Sequence, residues 1–142
     1  MAVESLLEVL KYKNKDVIHR YEQDYPHNKL KGKDAFNELL KFFWIAQRHK
    51  TAKKLSPENK ELNFTCAIYP EMSEIDDMWH TFLLFTKDYM SFCKNYFDEY
   101  IHHVPNTKEE PINDAQFEDD LTKYLSFVYD VLGEETITNW FE

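Results

Sequence analysis

The spacing of the apolar residues constrains the fold of this chain more than any other feature of its sequence. Along almost all of the 142 residues they recur every three or four positions, which places them on one face of an α-helix. Glycine occurs only twice and proline five times, so few positions force a turn. The pattern predicts an all-α fold, a single domain over residues 1–142 built as an irregular bundle of about six to seven helices.

The helix ends are predicted from capping and breaking residues. Ser73 and Asp76 resemble a capping box at the start of a helix. Gly133 suits a left-handed helix end, and Pro105 favours an extended segment over 101–104. Leu62 to Tyr69 can form a brief extended piece. The predicted helices cover residues 6–10, 17–25, 34–55, 74–84, 86–100 and 113–132, and a short tail over 134–141 returns Trp140 to the core.

Composition and charge narrow the functional classes. Apolar residues make up 43% of the chain, enough for a substantial core, so global disorder is excluded. The net charge of -9 repels nucleic acids and anionic membranes, and we expect neither as the main partner. We also expect no membrane span and no disulfide framework. The N-terminus lacks a secretory signal, which favours a cytoplasmic protein, with export by a route that needs no such signal as the alternative.

Side chains that can bind metal are concentrated between residues 76 and 105. Asp76 and His80 lie one helical turn apart, Cys93 follows, and His102 and His103 are adjacent. Carboxylate, thiolate and imidazole are the ligands that zinc and related divalent ions use in proteins. The spacing matches none of the common zinc-finger patterns. Composition and spacing therefore allow a metal site here without requiring one.

Each of these residues also has a structural interpretation. Asp76 can orient the imidazole of His80 or simply cap a helix. His80 lies among apolar residues, so we expect it to be at least partly buried, either as a ligand or as a packed core histidine. Cys93 faces the core, where a thiol is often just a small apolar group. Cys66 is a possible fourth ligand.

The two adjacent histidines differ in what they can reach. Consecutive side chains of an extended segment point to opposite sides, so at most one of His102 and His103 reaches the site of His80. The sequence does not decide which one. The remaining histidines, at positions 19, 27 and 49, have polar neighbours and are predicted to lie on the surface.

The central stretch contains Ile75-Asp76, Trp79-His80 and Phe92-Cys93, followed by residues 101–105. This combination resembles the glycine-rich domain-containing protein-like family of plants and bacteria, in a short bacterial form without the glycine-rich tail. The chain departs from that family at Phe82, where many relatives carry a second histidine, and at Asp98, where many carry glycine. The resemblance implies that the candidate ligands act as a group, and it implies no particular reaction. It is carried by Ile75-Asp76, Trp79-His80, Leu84, Thr86, Tyr89, Phe92-Cys93, Phe97 and residues 101–105, with flanking support from 41–44, 55–57, 124–129, 132–134 and Trp140.

Three functions remain open at this level. The first is a helical domain that binds zinc or iron through His80, Cys93 and one of His102 or His103, with Asp76 orienting or completing the ligand set. If such a metal kept an open coordination position, the domain could act as a metal-assisted hydrolase. The second is a protein–protein interaction module in which these residues are structural. The third is a thiol- or histidine-dependent enzyme. The expected partner is accordingly a protein or a small molecule.

Overall fold

The computed structural model describes residues 5–103 and 114–142. Within these residues the chain forms helices and no strand, as the apolar spacing predicted. Two 3-10 turns, Lys60–Leu62 and Pro70–Met72, lie between residues 55 and 73, and the extended piece predicted over Leu62 to Tyr69 is loop and turn instead. The helices are α1 Leu6–Leu10, α2 Lys15–Asp24, α3 Gly32–Leu55, α4 Ser73–Leu84, α5 Thr86–Phe97, α6 Asp114–Leu132 and α7 Glu134–Phe141.

The long helix α3 forms the centre of the packing. It contacts α1, α2, α4 and α7, so apolar residues occur on most sides of it rather than along one stripe. Phe43 of this helix is fully buried and meets Trp79 of α4 edge-on, with 5.1 Å between the ring centroids. Burial of one such ring stabilises the fold by roughly 1.5–3 kcal/mol. This contact fixes how closely α4 packs against α3, and α4 carries two of the candidate ligands.

Helix α4 begins without the predicted capping box. The 3-10 turn Pro70–Met72 runs directly into it, and the backbone N–H of Ser73 already donates to the carbonyl of Pro70. Met72 occupies the N-cap position and no side chain caps the helix. The prediction that Asp76 caps this helix was therefore wrong, and both of its carboxylate oxygens are available for other partners.

Helix α5 ends three residues earlier than predicted, at Phe97. Asp98 follows with φ 56° and ψ 21°, the left-handed conformation that an aspartate tolerates better than most residues. The turn at Asp98 sends the chain back towards α4. The segment over 101–103 has neither helix nor strand structure, and Val104, the last residue of the predicted extended segment, lies outside the described residues.

The C-terminal tail forms a helix, α7. Gly133 precedes it with φ 93° and ψ 175°, a positive φ that suits glycine but not the left-handed helical conformation that was predicted. Trp140 is fully buried, as expected. In the part of the chain that the structure covers, no helix combines the length and apolarity needed to cross a membrane.

His49 is buried, so the prediction that it lies on the surface was wrong. It has 5% of its surface exposed, its Nε2–H donates to the carbonyl of Leu62 at 2.9 Å, and its ring lies 4.0 Å from that of Phe64. Lysines surround this position in the sequence, but the Lys60–Leu62 turn folds over the ring. Burial lowers the pKa of His49 from its ordinary value of 6.5.

This lowered pKa predicts a loss of stability in mild acid. As the pH falls below 6.5, the unfolded chain takes up a proton at His49 before the folded chain does, so the stability present above pH 6.5 declines. Urea unfolding at pH 7.5 and 5.0 should show this decline, and His49→Gln should reduce the difference between the two pH values. His19→Gln, at an exposed histidine, should leave the difference unchanged. An equal decline in His49→Gln and wild-type protein would contradict the assignment.

Candidate metal centre

Helix α4 presents Asp76 and His80 on the same face, as the four-residue spacing predicted. The Oδ2 atom of Asp76 lies 3.6 Å from Nε2 of His80. The intervening Trp79 points into the core, where it is 6% exposed. Because Trp79 takes the inward position, His80 turns outward and half of its side chain is exposed. The prediction that His80 is at least partly buried overstated its burial.

His103 reaches this pair from a distant point in the sequence. Its Nε2 atom lies 2.7 Å from Oδ1 of Asp76, across 27 positions of the chain. The rings of His80 and His103 are 4.6 Å apart at their centroids. The carboxylate of Asp76 thus has one oxygen towards each imidazole. The imidazole of His103 is only 17% exposed, so this side of the group is closed to solvent while the side of His80 is open.

The distances within this group are close to those of ligands on one metal ion. The carboxylate oxygen and the two ring nitrogens lie within 4.8 Å of one another. Two ligands bonded to one zinc ion at about 2.0–2.1 Å are themselves roughly 3 Å apart. The Asp76–His103 and Asp76–His80 separations of 2.7 and 3.6 Å bracket that value.

The structure brings together three of the five predicted site residues: Asp76, His80 and His103. His102 points away, is exposed and packs against the ring of Tyr100 at 4.6 Å. The alternation expected of an extended segment is therefore observed, and it decides between the two histidines. Cys93 also lies outside the group.

Cys93 is fully buried on the core side of α5. Its thiol faces the backbone of Ile101 and the side chain of Tyr89, and burial raises its pKa. A buried thiol kept protonated favours neither ligation nor nucleophilic attack, since both require the thiolate. Cys66 is likewise outside the group, and burial raises its pKa to about 12.

The surroundings of the group are acidic. Asp77 follows Asp76 on α4 and accepts a hydrogen bond from Asn28 at 3.0 Å. The pKa of Tyr25 is raised, first by burial and then by the charges of Asp77, Asp24 and Asp76. A concentration of negative charge of this kind favours a cation over an anion at the site.

Sequence reasoning missed the residue that links α4, α5 and the segment carrying His103. Tyr89 is fully buried, accepts a hydrogen bond from Trp79 Nε1 at 3.0 Å and donates one to the carbonyl of Ile101. In the sequence Tyr89 is one member of an apolar stripe on α5, and its hydroxyl group was the only sign that it also makes a buried hydrogen bond. A buried tyrosine usually has a partner for its hydroxyl, but the sequence could not show which one.

These observations define the class of the protein as an all-helical domain with one carboxylate and two imidazoles gathered at the surface of a single helix. The sequence model of the UCP032817-like family matches residues 4–117, so the chain belongs to that family. The matched range contains Asp76, His80 and His103. No curated protein and no solved structure matches the chain.

The family match overturns the resemblance to the glycine-rich domain-containing protein-like family, which was wrong. Many of the residues that suggested it are buried in the helical core, including Ile75, Trp79, Tyr89 and Phe92. Apolar core positions recur with similar spacing in unrelated helical proteins because the helix period imposes them. Apolar residues at such positions are therefore stronger evidence of core packing than of descent from a common ancestor.

Proposed function

We propose that this domain binds one divalent transition-metal ion, zinc or iron, through Asp76, His80 and His103. The observation that carries the proposal is the convergence of His103 on the Asp76–His80 pair from 27 residues away. Two imidazoles and a carboxylate form a common ligand set for zinc and for non-haem iron. The acidic surroundings of α4 supply further attraction for a cation.

Three protein ligands leave the coordination of either metal incomplete. Zinc has a fourth position in its usual tetrahedral sites, and iron bound by two histidines and a carboxylate has several. The half-exposed side of His80 faces solvent, so water or an oxygen or nitrogen atom of a small molecule can reach such a position. A metal in this setting would act as a Lewis acid and lower the pKa of bound water. This open side is the feature that supports a small-molecule partner.

Metal analysis and a pair of adjacent histidine variants test the proposal. Protein purified without added metal should contain close to one zinc or iron ion per chain. After chelation, Co²⁺ titration followed by its visible absorption should show one site. His103→Ala should weaken Co²⁺ binding by at least about 100-fold, since loss of outer-shell partners alone costs about 10- to 100-fold. His102→Ala is the matched control, because it removes an exposed imidazole one residue away.

Two results would contradict the proposal. One is wild-type protein that contains no metal and gives no saturable Co²⁺ signal. The other is an equal effect of His102→Ala and His103→Ala, which would indicate adventitious binding to surface histidines. In either case the contact between Asp76 and His103 would have a structural role, holding the 101–103 segment against α4. This is the role that these residues have if the domain is an interaction module.

A further inference from the structure

The segment that carries His103 is held in place by side chains rather than by regular backbone structure. Residues 101–103 belong to no helix or strand. The hydroxyl of Tyr89 donates to the carbonyl of Ile101, and the thiol of Cys93 faces the backbone of the same residue. The side chain of Ile101 is buried at 9% exposure. Ile101, two residues before His103, is therefore held in place by one buried hydrogen bond and by the burial of its side chain.

Trp79 connects this anchor to the candidate ligands. Its indole N–H donates to the hydroxyl of Tyr89, and its ring lies 4.3 Å from that of His103 in an edge-on contact. The next residue along α4 is His80. One hydroxyl group thus joins the helix that supplies Asp76 and His80 to the segment that supplies His103.

The geometry points to Tyr89 as a positioning residue for metal binding, which holds Ile101 so that His103 reaches the carboxylate of Asp76. This inference rests on the proposed function. Ligand groups must be held within about 0.5 Å of their productive positions, and the side chains behind them provide that restraint. Removal of the Tyr89 hydroxyl leaves the Ile101 carbonyl and the Trp79 N–H without this partner. His103 would then sample positions in which Nε2 and the carboxylate no longer converge.

Tyr89→Phe tests the inference, with Tyr124→Phe as its matched control. Tyr124 is a second fully buried tyrosine whose hydroxyl also donates to a loop carbonyl, that of Ala67, at 3.0 Å. Both variants keep the ring and lose a buried hydroxyl. Tyr89→Phe loses two hydrogen bonds and Tyr124→Phe loses one, so Tyr89→Phe should lose more stability. Only Tyr89→Phe should weaken Co²⁺ binding, by about 10- to 100-fold, while Tyr124→Phe should change it less than about twofold. The Co²⁺ absorption spectrum should change in Tyr89→Phe alone.

The outcomes separate this inference from the proposed function. Wild-type protein that binds Co²⁺, together with a Tyr89→Phe variant of equal affinity, would overturn the positioning role and leave the metal site intact. Wild-type protein that binds no Co²⁺ would overturn both. Should Tyr89→Phe fail to fold, Cys93→Ala provides the second test, because the Cys93 side chain also faces the backbone of Ile101. It should weaken Co²⁺ binding several-fold, and unchanged affinity there would contradict the inference.

Discussion

Replacement of Glu38 by alanine should lower the free energy of unfolding by about 3 kcal/mol. Glu38 lies on α3 with 5% of its surface exposed. Its Oε1 accepts a hydrogen bond from Trp140 Nε1 at 2.9 Å, and its Oε2 accepts bonds from Lys41 at 3.1 Å and from Asn139 at 3.3 Å. Alanine would leave the buried indole N–H without this acceptor. It would also remove the acceptor for Asn139 of α7, leaving the bond from Lys41 to Thr136 at 3.4 Å between these two helices.

Urea unfolding followed by tryptophan fluorescence measures this effect. Glu38→Gln is the informative companion, because the amide keeps one oxygen as an acceptor for Trp140 while removing the charge that faces Lys41. It should lose roughly 1 kcal/mol. Glu8→Ala breaks an exposed pair with Lys11 and should change stability by less than about 0.5 kcal/mol. If the Glu38→Ala and Glu8→Ala variants were equally stable, the buried carboxylate would make no net contribution to the free energy of unfolding.

Zinc at about 100 times its dissociation constant should stabilise the wild-type protein by about 2.7 kcal/mol. The ligands come from α4 and from a segment 27 positions away, so the unfolded chain does not present them together. For a domain of this size the gain corresponds to a rise in Tm of roughly 8 °C. Thermal unfolding with and without zinc measures it. Asp76→Asn, which removes the charge between the two imidazoles, should abolish most of the rise.

The same stabilisation should weaken in mild acid. Imidazole binds a metal only in its neutral form, so the zinc-dependent rise in Tm should be larger at pH 7.5 than at pH 5.5. His102→Ala should behave as the wild type at both pH values. A zinc effect that is undiminished at low pH, or in Asp76→Asn, would place the metal elsewhere on the protein.

The secondary structure was largely predictable because it depends on local spacing. The apolar period along α3 and α6 predicted both long helices within a few residues of their observed ends, and the shared face of Asp76 and His80 followed from a spacing of four. Errors arose where a neighbouring segment altered a local preference. The 3-10 turn before α4 replaced the capping box at Ser73, and the Lys60–Leu62 turn buried His49.

The candidate site was predictable only in part, because its geometry is not local. The sequence indicated the stretch and the residue types, and it limited the contribution of the histidine pair to one member. The sequence could not exclude Cys93 from the metal ligands, since a thiol that faces the core can be either a ligand or part of the packing. The structure places the buried thiol against Tyr89 and the backbone of Ile101, outside the group of ligand atoms.

The sequence by itself determined that this chain is helical, how its helices are spaced, and which residue types lie near one another on α4. Those properties follow from the period of the helix and from interactions over three or four residues. Only the tertiary structure decided that His103 rather than His102 meets Asp76, that His80 is open to solvent, and that Tyr89 joins the two elements. These contacts depend on the turn at Asp98 and on how deeply Trp79 packs, and both are set by the whole core rather than by neighbouring residues.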